Sequence, residues 1–289
     1  MEPFDYLRPN QLTELAQILQ QPGVRIVAGG TDVIPQLHSG RINVRTMVDI
    51  SRVSELHYLN CQPQCVEIGA LTTFAEIAAS PFLAEHARAI VEAAEWVGAP
   101  MTRQRGTLGG NLANASPAAD SIPALMVLDA SIALYAAARQ RTMRLEKFFV
   151  GPGKSVLQPD EMIHHISFSP LAPGWGSAFI KRGPRNGMTI AIISAAAAVE
   201  ITSEGVLKAV RVAVGAVAPT VVRLYQAESL LAGRKLDEIP WDRVETCIHQ
   251  EISPIDDIRA SQTYRQKAVV VLVQRALEKA VQDARRRSA

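Results

Sequence analysis

An α+β chain of two domains is predicted by three observations. Helical and β-prone stretches alternate through residue 172 without a dinucleotide fingerprint; a Pro- and Gly-rich break follows; and the last third opens with two apolar, β-branched runs joined by a hairpin sequence. The 289 residues are enough for about two domains and a sizeable core. The break is Leu171-Ala172-Pro173-Gly174-Trp175-Gly176, which shows no periodicity, so the domains are expected at 1–172 and 177–289.

Along the first domain, Leu12, Leu15, Ala16, Ile18 and Leu19 recur at helical spacing, with Thr13 or Asn10 available as a cap and Pro22-Gly23 as a stop. Val24 to Ala28 reads as a short strand that ends in Gly29-Gly30-Thr31-Asp32, before a helix-compatible run from Val33 to Leu37. Thr46 to Ile50 and Val66 to Ala70 read as strands, and Thr73 and Glu76 stand at capping-box spacing. Ala87 to Val97 is an apolar-striped helix that leads through Gly98-Ala99-Pro100 to a second glycine segment, Thr107 to Asp120. Asp120 or Ser121 can cap the next helix, which has Pro123 in its first turn. Ser131 to Tyr135 gives a strand, and Arg139-Gln140-Arg141 reads as a polar turn. Met162 to Phe168 alternates as a strand, which places His164 and His165 on opposite faces. In the second domain Ser177 to Arg182 is a strand turned by Pro184-Arg185-Asn186-Gly187. Ile190 to Ile201 and Val206 to Val214 form a hairpin, and helices follow near Leu224 to Leu231 and Ser261 to Asp283.

The two glycine pairs carry the chemistry. Adjacent glycines accept positive φ and lack Cβ, so successive N–H groups can converge on an anion, and a phosphate is the natural guest. Gly109-Gly110 alone could be an ordinary turn; Gly29-Gly30, reached from a strand with a hydroxyl and a carboxylate beside it, repeats the same composition. Neither is a G-x-G-x-x-G motif. Gly151-Pro152-Gly153-Lys154-Ser155 ends like a phosphate loop, but Phe148 occupies the position where that motif needs glycine, so it reads as a tight turn.

Composition narrows the classes. A net charge of +2, from 30 basic and 28 acidic residues, advertises neither nucleic acid nor an anionic membrane. Three cysteines, Cys61, Cys65 and Cys247, cannot supply the four thiolates of an iron–sulfur cluster or structural zinc, and they suit a reducing compartment. With an acidic N-terminus and no long apolar run, a cytoplasmic protein is expected. Arg285-Arg286-Arg287 reads as a solvated, frayed tail.

The ordered set Ala28-Gly29-Gly30-Thr31-Asp32, Ile68-Gly69-Ala70-Leu71-Thr72-Thr73-Phe74, Gly106 to Asp120, Gly151-Pro152-Gly153-Lys154, Pro159-Asp160-Glu161, Val214 to Thr220 and Ile258-Arg259-Ala260-Ser261 resembles the FAD-binding medium subunit of the molybdenum hydroxylases. Bacterial xanthine dehydrogenase and aerobic carbon monoxide dehydrogenase belong to this family. The resemblance implies a two-subdomain, PCMH-type FAD-binding domain, split at about 1–57 and 58–172, followed by a smaller C-terminal α/β sandwich. It implies that Val27, Ala28, Gly29, Gly30, Thr31, Asp32 and Val33, with Thr107, Leu108, Gly109, Gly110 and Asn111, line the FAD pyrophosphate. Ser116 and Asp120 are then expected at the ribityl or flavin side, Ile163 against the ring, and Lys181 approaching the flavin from the second domain.

The same resemblance implies a division of labour in a cytoplasmic heterotrimer. A large subunit with molybdopterin hydroxylates the substrate, a small subunit with two [2Fe-2S] clusters relays electrons, and FAD in this chain passes them to NAD or another acceptor. No catalytic side chain and no metal ligand are expected here. The run from Ala28 to His38 is similar to bacterial xanthine dehydrogenases, which implies a purine substrate for the complex. Alternatives are a stand-alone flavin reductase of the kind seen in cell-wall enolpyruvyl reductases, and a non-catalytic scaffold subunit. The chain departs from the family pattern at Gln104-Arg105, where Arg-Asn is common, and at Thr189, where an aspartate is common.

Overall fold

The computed structural model describes residues 3–185 and 188–288; the expected turn at Pro184 to Gly187 lies partly outside them. In chain order the elements are β1 (Asp5–Leu7), α1 (Leu12–Ile18), β2 (Val24–Val27), α2 (Val33–His38), β3 (Thr46–Asp49), β4 (Leu59–Cys61), β5 (Val66–Gly69), α3 (Phe74–Ala79), α4 (Pro81–His86), α5 (Arg88–Trp96), α6 (Pro100–Arg105), α7 (Leu108–Asn114) and α8 (Ser121–Val127). Then come β6 (Ser131–Ala136), β7 (Arg139–Arg144), β8 (Phe149–Gly151), β9 (Lys154–Ser155), β10 (Met162–Phe168), β11 (Trp175–Arg182), β12 (Ile193–Ile201), β13 (Leu207–Gly215), β14 (Val222–Arg223), α9 (Tyr225–Leu231), α10 (Trp241–Glu251) and α11 (Gln262–Ser288).

Among the described residues, three larger sheets and the two-stranded β8-β9 hairpin organise these elements. The first is parallel, in the order β1-β3-β2, as expected where helices α1 and α2 separate its strands. The second is antiparallel, in the order β4-β5-β10-β6-β7, and the third, β11-β12-β13-β14, is antiparallel too. Leu15, Val48 and Leu56 of the first region pack with Leu71 and Met162 of the second. The largest core joins β5, β6 and β10, helices α3, α5 and α8, and one face of the third sheet through Phe179, Ala196, Ala198 and Ala213. The opposite face of that sheet, with Ala195, Ala197 and Val212, packs on α9, α10 and α11. A strand buried on both faces reads as a continuous apolar run, which is why β12 shows no alternation.

Several local expectations hold. Thr73 and Glu76 form a reciprocal capping box, and Gly153 turns the β8-β9 hairpin at φ +66°. Others are overturned. Neither Thr13 nor Asn10 caps α1; Gln11 stands at the cap, and Glu14 instead accepts from the Asn10 N–H. Arg139 to Arg141 is no turn but the start of β7, because its arginines have partners across the sheet. Arg141 makes two bonds to Glu161, at 2.7 and 2.8 Å, and Arg139 reaches both Asp160 and Glu161. His164 and His165 do not point to opposite faces. The register shifts between Ile163 and His165, and this bulge cancels the alternation and brings the two Nδ1 atoms to 2.7 Å. Nor is the arginine tail frayed: the Arg287 side chain is buried and donates to the Trp175 and Leu171 carbonyls, while Arg286 pairs with Glu85 and Asp283. The sequence also concealed α10, whose apolar positions are few.

Glu161 is held at about 2, chiefly by hydrogen bonds from Arg141 and then by those from Gln158 N–H and Arg139. A carboxyl depressed in the folded state stabilises above its ordinary pKa of 4.5, and that stability is lost as pH falls toward 2. Urea unfolding should therefore show a loss over that window about 2 kcal/mol larger in the wild type than in Glu161→Gln. Equal acid sensitivity in the two proteins would contradict this assignment.

Candidate functional site

The first glycine segment packs against Arg105 and Gly106, the residues that lead into the second. Gly29 follows β2 so closely against the end of α6 that a Cβ there would overlap the Arg105 carbonyl oxygen, and a Cβ on Gly106 would lie 3.7 Å from Thr31 Oγ1. Gly30 adopts φ +75°, a conformation a side chain resists, and turns the chain into α2. Within the described residues, no protein acceptor engages the N–H groups of Gly29, Gly30, Thr31 or Asp32; only the carbonyls of Gly30 and Asp32 are used, by Ile34 and Gln36.

The second segment behaves otherwise, and the expectation of a second N–H cradle is corrected here. Thr107 to Asn114 is not a loop but the helix α7 with its cap. Its early N–H groups are spent internally: Leu108 on the Thr72 carbonyl, Gly109 on the Ala70 carbonyl, Gly110 on Thr107 Oγ1 and Asn111 on the Thr107 carbonyl. Leu108 is fully buried, so its side chain serves the core. Gly109 is required by packing, since a Cβ would come within 2.6 Å of the Ala70 Cβ and 2.7 Å of its carbonyl oxygen. Gly110 is exposed, and the Asn111 side chain accepts from Ser121 at 2.7 Å. This segment thus offers a smooth wall, not a row of donors.

Beyond α7, Ala115 takes φ 48° and its carbonyl receives the Gly153 N–H of the β8-β9 turn. Ser116 Oγ accepts from Ala118 N–H in a local turn. Asp120 stands at the start of α8 with a helical backbone and makes no side-chain cap, so helix capping is excluded as its role. Its Oδ2 accepts instead from Lys181 Nζ at 2.6 Å, across to β11. Nζ also donates to the Trp96 carbonyl at 3.3 Å and lies 5.9 Å from the centre of the Trp96 ring. Asp120 Oδ1 is buried without a partner. Desolvation dominates and raises the Asp120 carboxyl to about 6, and Lys181 opposes the rise. Ile163 is buried between strands, paired with Leu134 just before the bulge.

Sequence reasoning missed two neighbours of this site. Ala216, at φ 61°, donates its N–H to the Pro117 carbonyl, which ties the turn after β13 to the second glycine segment. Arg265, buried on α11, holds that turn through the Ala216 and Ile192 carbonyls and pairs with Asp257 at 2.7 Å. A non-glycine residue at positive φ leaves no signature in a single sequence. Among the described residues there is no group of three or more His, Cys, Asp or Glu placed to hold a metal.

Residues 2–170 match the family described as FAD binding domain in molybdopterin dehydrogenase, and residues 178–280 match CO dehydrogenase flavoprotein C-terminal domain. The chain belongs to the FAD-binding subunits of the molybdenum hydroxylases. It is 30% identical over 275 residues to the nicotinate dehydrogenase FAD-subunit of Eubacterium barkeri, covering 93% of each chain. It is 29% identical over 284 residues to a putative xanthine dehydrogenase FAD-binding subunit of Escherichia coli, covering 96% of this chain and 97% of that one. Among solved structures, a chain of Cu,Mo-CO dehydrogenase superposes with a TM-score of 0.93 at 27% identity, over 98% of this chain and 100% of that one. A chain of quinoline 2-oxidoreductase from Pseudomonas putida gives 0.91 at 27%, over 98% of each. The molybdenum hydroxylase FAD subunits are components of oxidoreductase complexes whose molybdopterin and iron–sulfur groups belong to other subunits. No helix among the described residues is long and apolar enough to cross a membrane.

The residues present suit FAD. The unengaged N–H groups of Gly29 to Asp32 would donate to a pyrophosphate, and Asp120 Oδ1 is a buried acceptor without a partner. Removing the ammonium from the pair has a measurable sign. Lys181→Met would leave a buried, uncompensated carboxylate and should cost about 3 kcal/mol, more at pH 8 than at pH 5, where the carboxyl is protonated. Denaturant unfolding at the two pH values tests this; a loss independent of pH would contradict it.

Proposed function

We propose that this chain is the electron-transfer flavoprotein subunit of a molybdenum hydroxylase: it holds FAD, receives electrons from [2Fe-2S] clusters of a small partner subunit and passes them to NAD or another acceptor. The observation that carries the reading is the row of unengaged N–H groups at Gly29 to Asp32, set against Arg105 and Gly106 at the entrance to the second glycine segment. FAD supplies the two-electron chemistry, and the protein's residues bind and orient it. Val27 to Val33 are proposed to take the pyrophosphate from the donor side, with Thr107 to Asn111 as the opposing wall. Ser116, Asp120 and Lys181 are proposed for the ribityl and flavin end, where the lysine would offset charge on the reduced ring. Ile163, being buried, could offer the ring only the edge of its side chain. We place the domain boundary between residues 172 and 177, within the connection from β10 to β11.

The purine expectation drawn from residues 28–38 gains no preference from the relatives. Proteins named for nicotinate, xanthine, glyceraldehyde and carbon monoxide all stand between 27% and 30% identity. Substrate choice belongs to the large subunit in this reading.

The purified chain should be yellow and release FAD on denaturation. Gly29→Val forces a side chain into the Arg105 carbonyl and should abolish FAD retention, whereas Gly151→Ala, whose Cβ meets nothing within 4 Å, should retain it. Absorbance at the flavin band after desalting reads both. A wild-type chain that takes up no added FAD would overturn the proposal. NAD reduction by the reconstituted complex would identify the acceptor.

A further inference from the structure

Asp120 and Lys181 form a closed electrostatic group. Both are buried, with side chains 8% and 1% exposed. Around them the packed elements supply little other charge. From α5 comes the Trp96 carbonyl, from α7 Asn111 turned to Ser121, and from the turn after β13 the backbone at Ala216 against Pro117. On α5, Glu92 and Arg88 are bonded to each other, Glu92 also accepts from the Phe179 N–H, and Glu95 is exposed. Arg103 of α6 is turned to the Val97 and Gly98 carbonyls, and Ser194, opposite Lys181 on β12, has a buried Oγ without a partner. Arg211 and Arg223, on β13 and β14, engage the far end of α8 through the Val127 and Met126 carbonyls and Asp129. One ammonium therefore serves one carboxylate, and one oxygen of that carboxylate has no partner at all.

With FAD held as proposed above, two-electron reduction brings a further negative charge to a site that has a single cation. Like charges confined in a low-dielectric site disfavour each other's ionised form, and the carboxylate is the group that can be discharged. We propose that Asp120 takes up a proton when the bound flavin is reduced and releases it on reoxidation, which leaves Lys181 to neutralise the reduced cofactor. The balance is two electrons from the partner's clusters and one proton to the flavin, giving the anionic reduced form, plus one proton from solvent to an Asp120 oxygen. On reoxidation the Asp120 proton returns to solvent, and the flavin's proton leaves with the electron pair as hydride to NAD or as a proton to solvent with an acceptor that takes electrons alone. Asp120 is a positioning and charge-balancing residue here, since the electrons never pass through it. The carboxyl titrates near 6 in the resting protein, so at neutral pH it is largely ionised before reduction, and a rise of about 3 units on reduction keeps it protonated across the range tested.

The test is the midpoint potential of FAD bound to the full chain, measured by dye equilibration at several pH values between 6.5 and 8.5 (on the order of the window set by a pKa near 6 and an added like charge). The wild type should show a slope of two protons per two electrons, and Asp120→Asn a slope of one. Asp120→Glu should restore two. A one-proton slope in the wild type, or a two-proton slope retained in Asp120→Asn, would overturn the inference. Should Asp120→Asn fail to hold FAD, the wild-type slope and its retention in Asp120→Glu decide alone. A wild-type chain without flavin refutes the functional proposal instead, so the two failures are distinct.

Discussion

Lys181 and Asp120 meet at 2.6 Å from strands and helices sixty-one residues apart, and the placement of the candidate site depends on that contact. Burying an ammonium and a carboxylate is costly, and replacement by apolar residues of similar volume is often neutral or stabilising. Retention of the charges therefore calls for a reason other than stability. The pair fixes β11 against the start of α8 at the point where the second glycine segment ends. Ala216 on Pro117 repeats the tie from β13, and Arg211 and Arg223 repeat it at the far end of α8 through Asp129. The charged ends and the apolar face between them hold the third sheet on the helices of the N-terminal part, and so define one wall of the site.

The two glycine pairs have the same composition and different tasks. Gly29-Gly30 ends a strand and leaves its amides unengaged, as a donor for an anion must. Gly109-Gly110 opens a helix whose amides are all bonded within the protein, and Gly109 exists because Ala70 leaves no room for a side chain. Composition cannot separate a glycine kept for its N–H from one kept for its missing Cβ; the neighbours decide, and they come from distant sequence.

Much of the fold was legible because it is encoded locally. The capping box at Thr73 and Glu76, the strand into Gly29-Gly30, the hairpin of β12 and β13 and the long α11 each carry their own periodicity or cap. The errors share a physical origin in partners remote from the segment. Arg139 and Arg141 look like turn residues until Glu161 is placed opposite them. His164 and His165 alternate on paper and face each other across a bulge. Arg287 resembles a tail until the Trp175 and Leu171 carbonyls surround it. At the site, Asp120 read equally well as a helix cap or a flavin contact; its helical backbone, the missing cap bond and the bond from Lys181 show that it caps nothing.

The most direct measurement of the central claim is amide hydrogen exchange across the chain with and without FAD. Unengaged amides of a donor loop exchange freely until a ligand accepts from them, whereas amides already bonded in a helix change little. Strong slowing at Gly29 to Asp32 on addition of FAD, with little change at Leu108 to Asn111, is the expected result. Unchanged exchange at Gly29 to Asp32 in a chain that has bound FAD would contradict the assignment of that segment as the pyrophosphate donor.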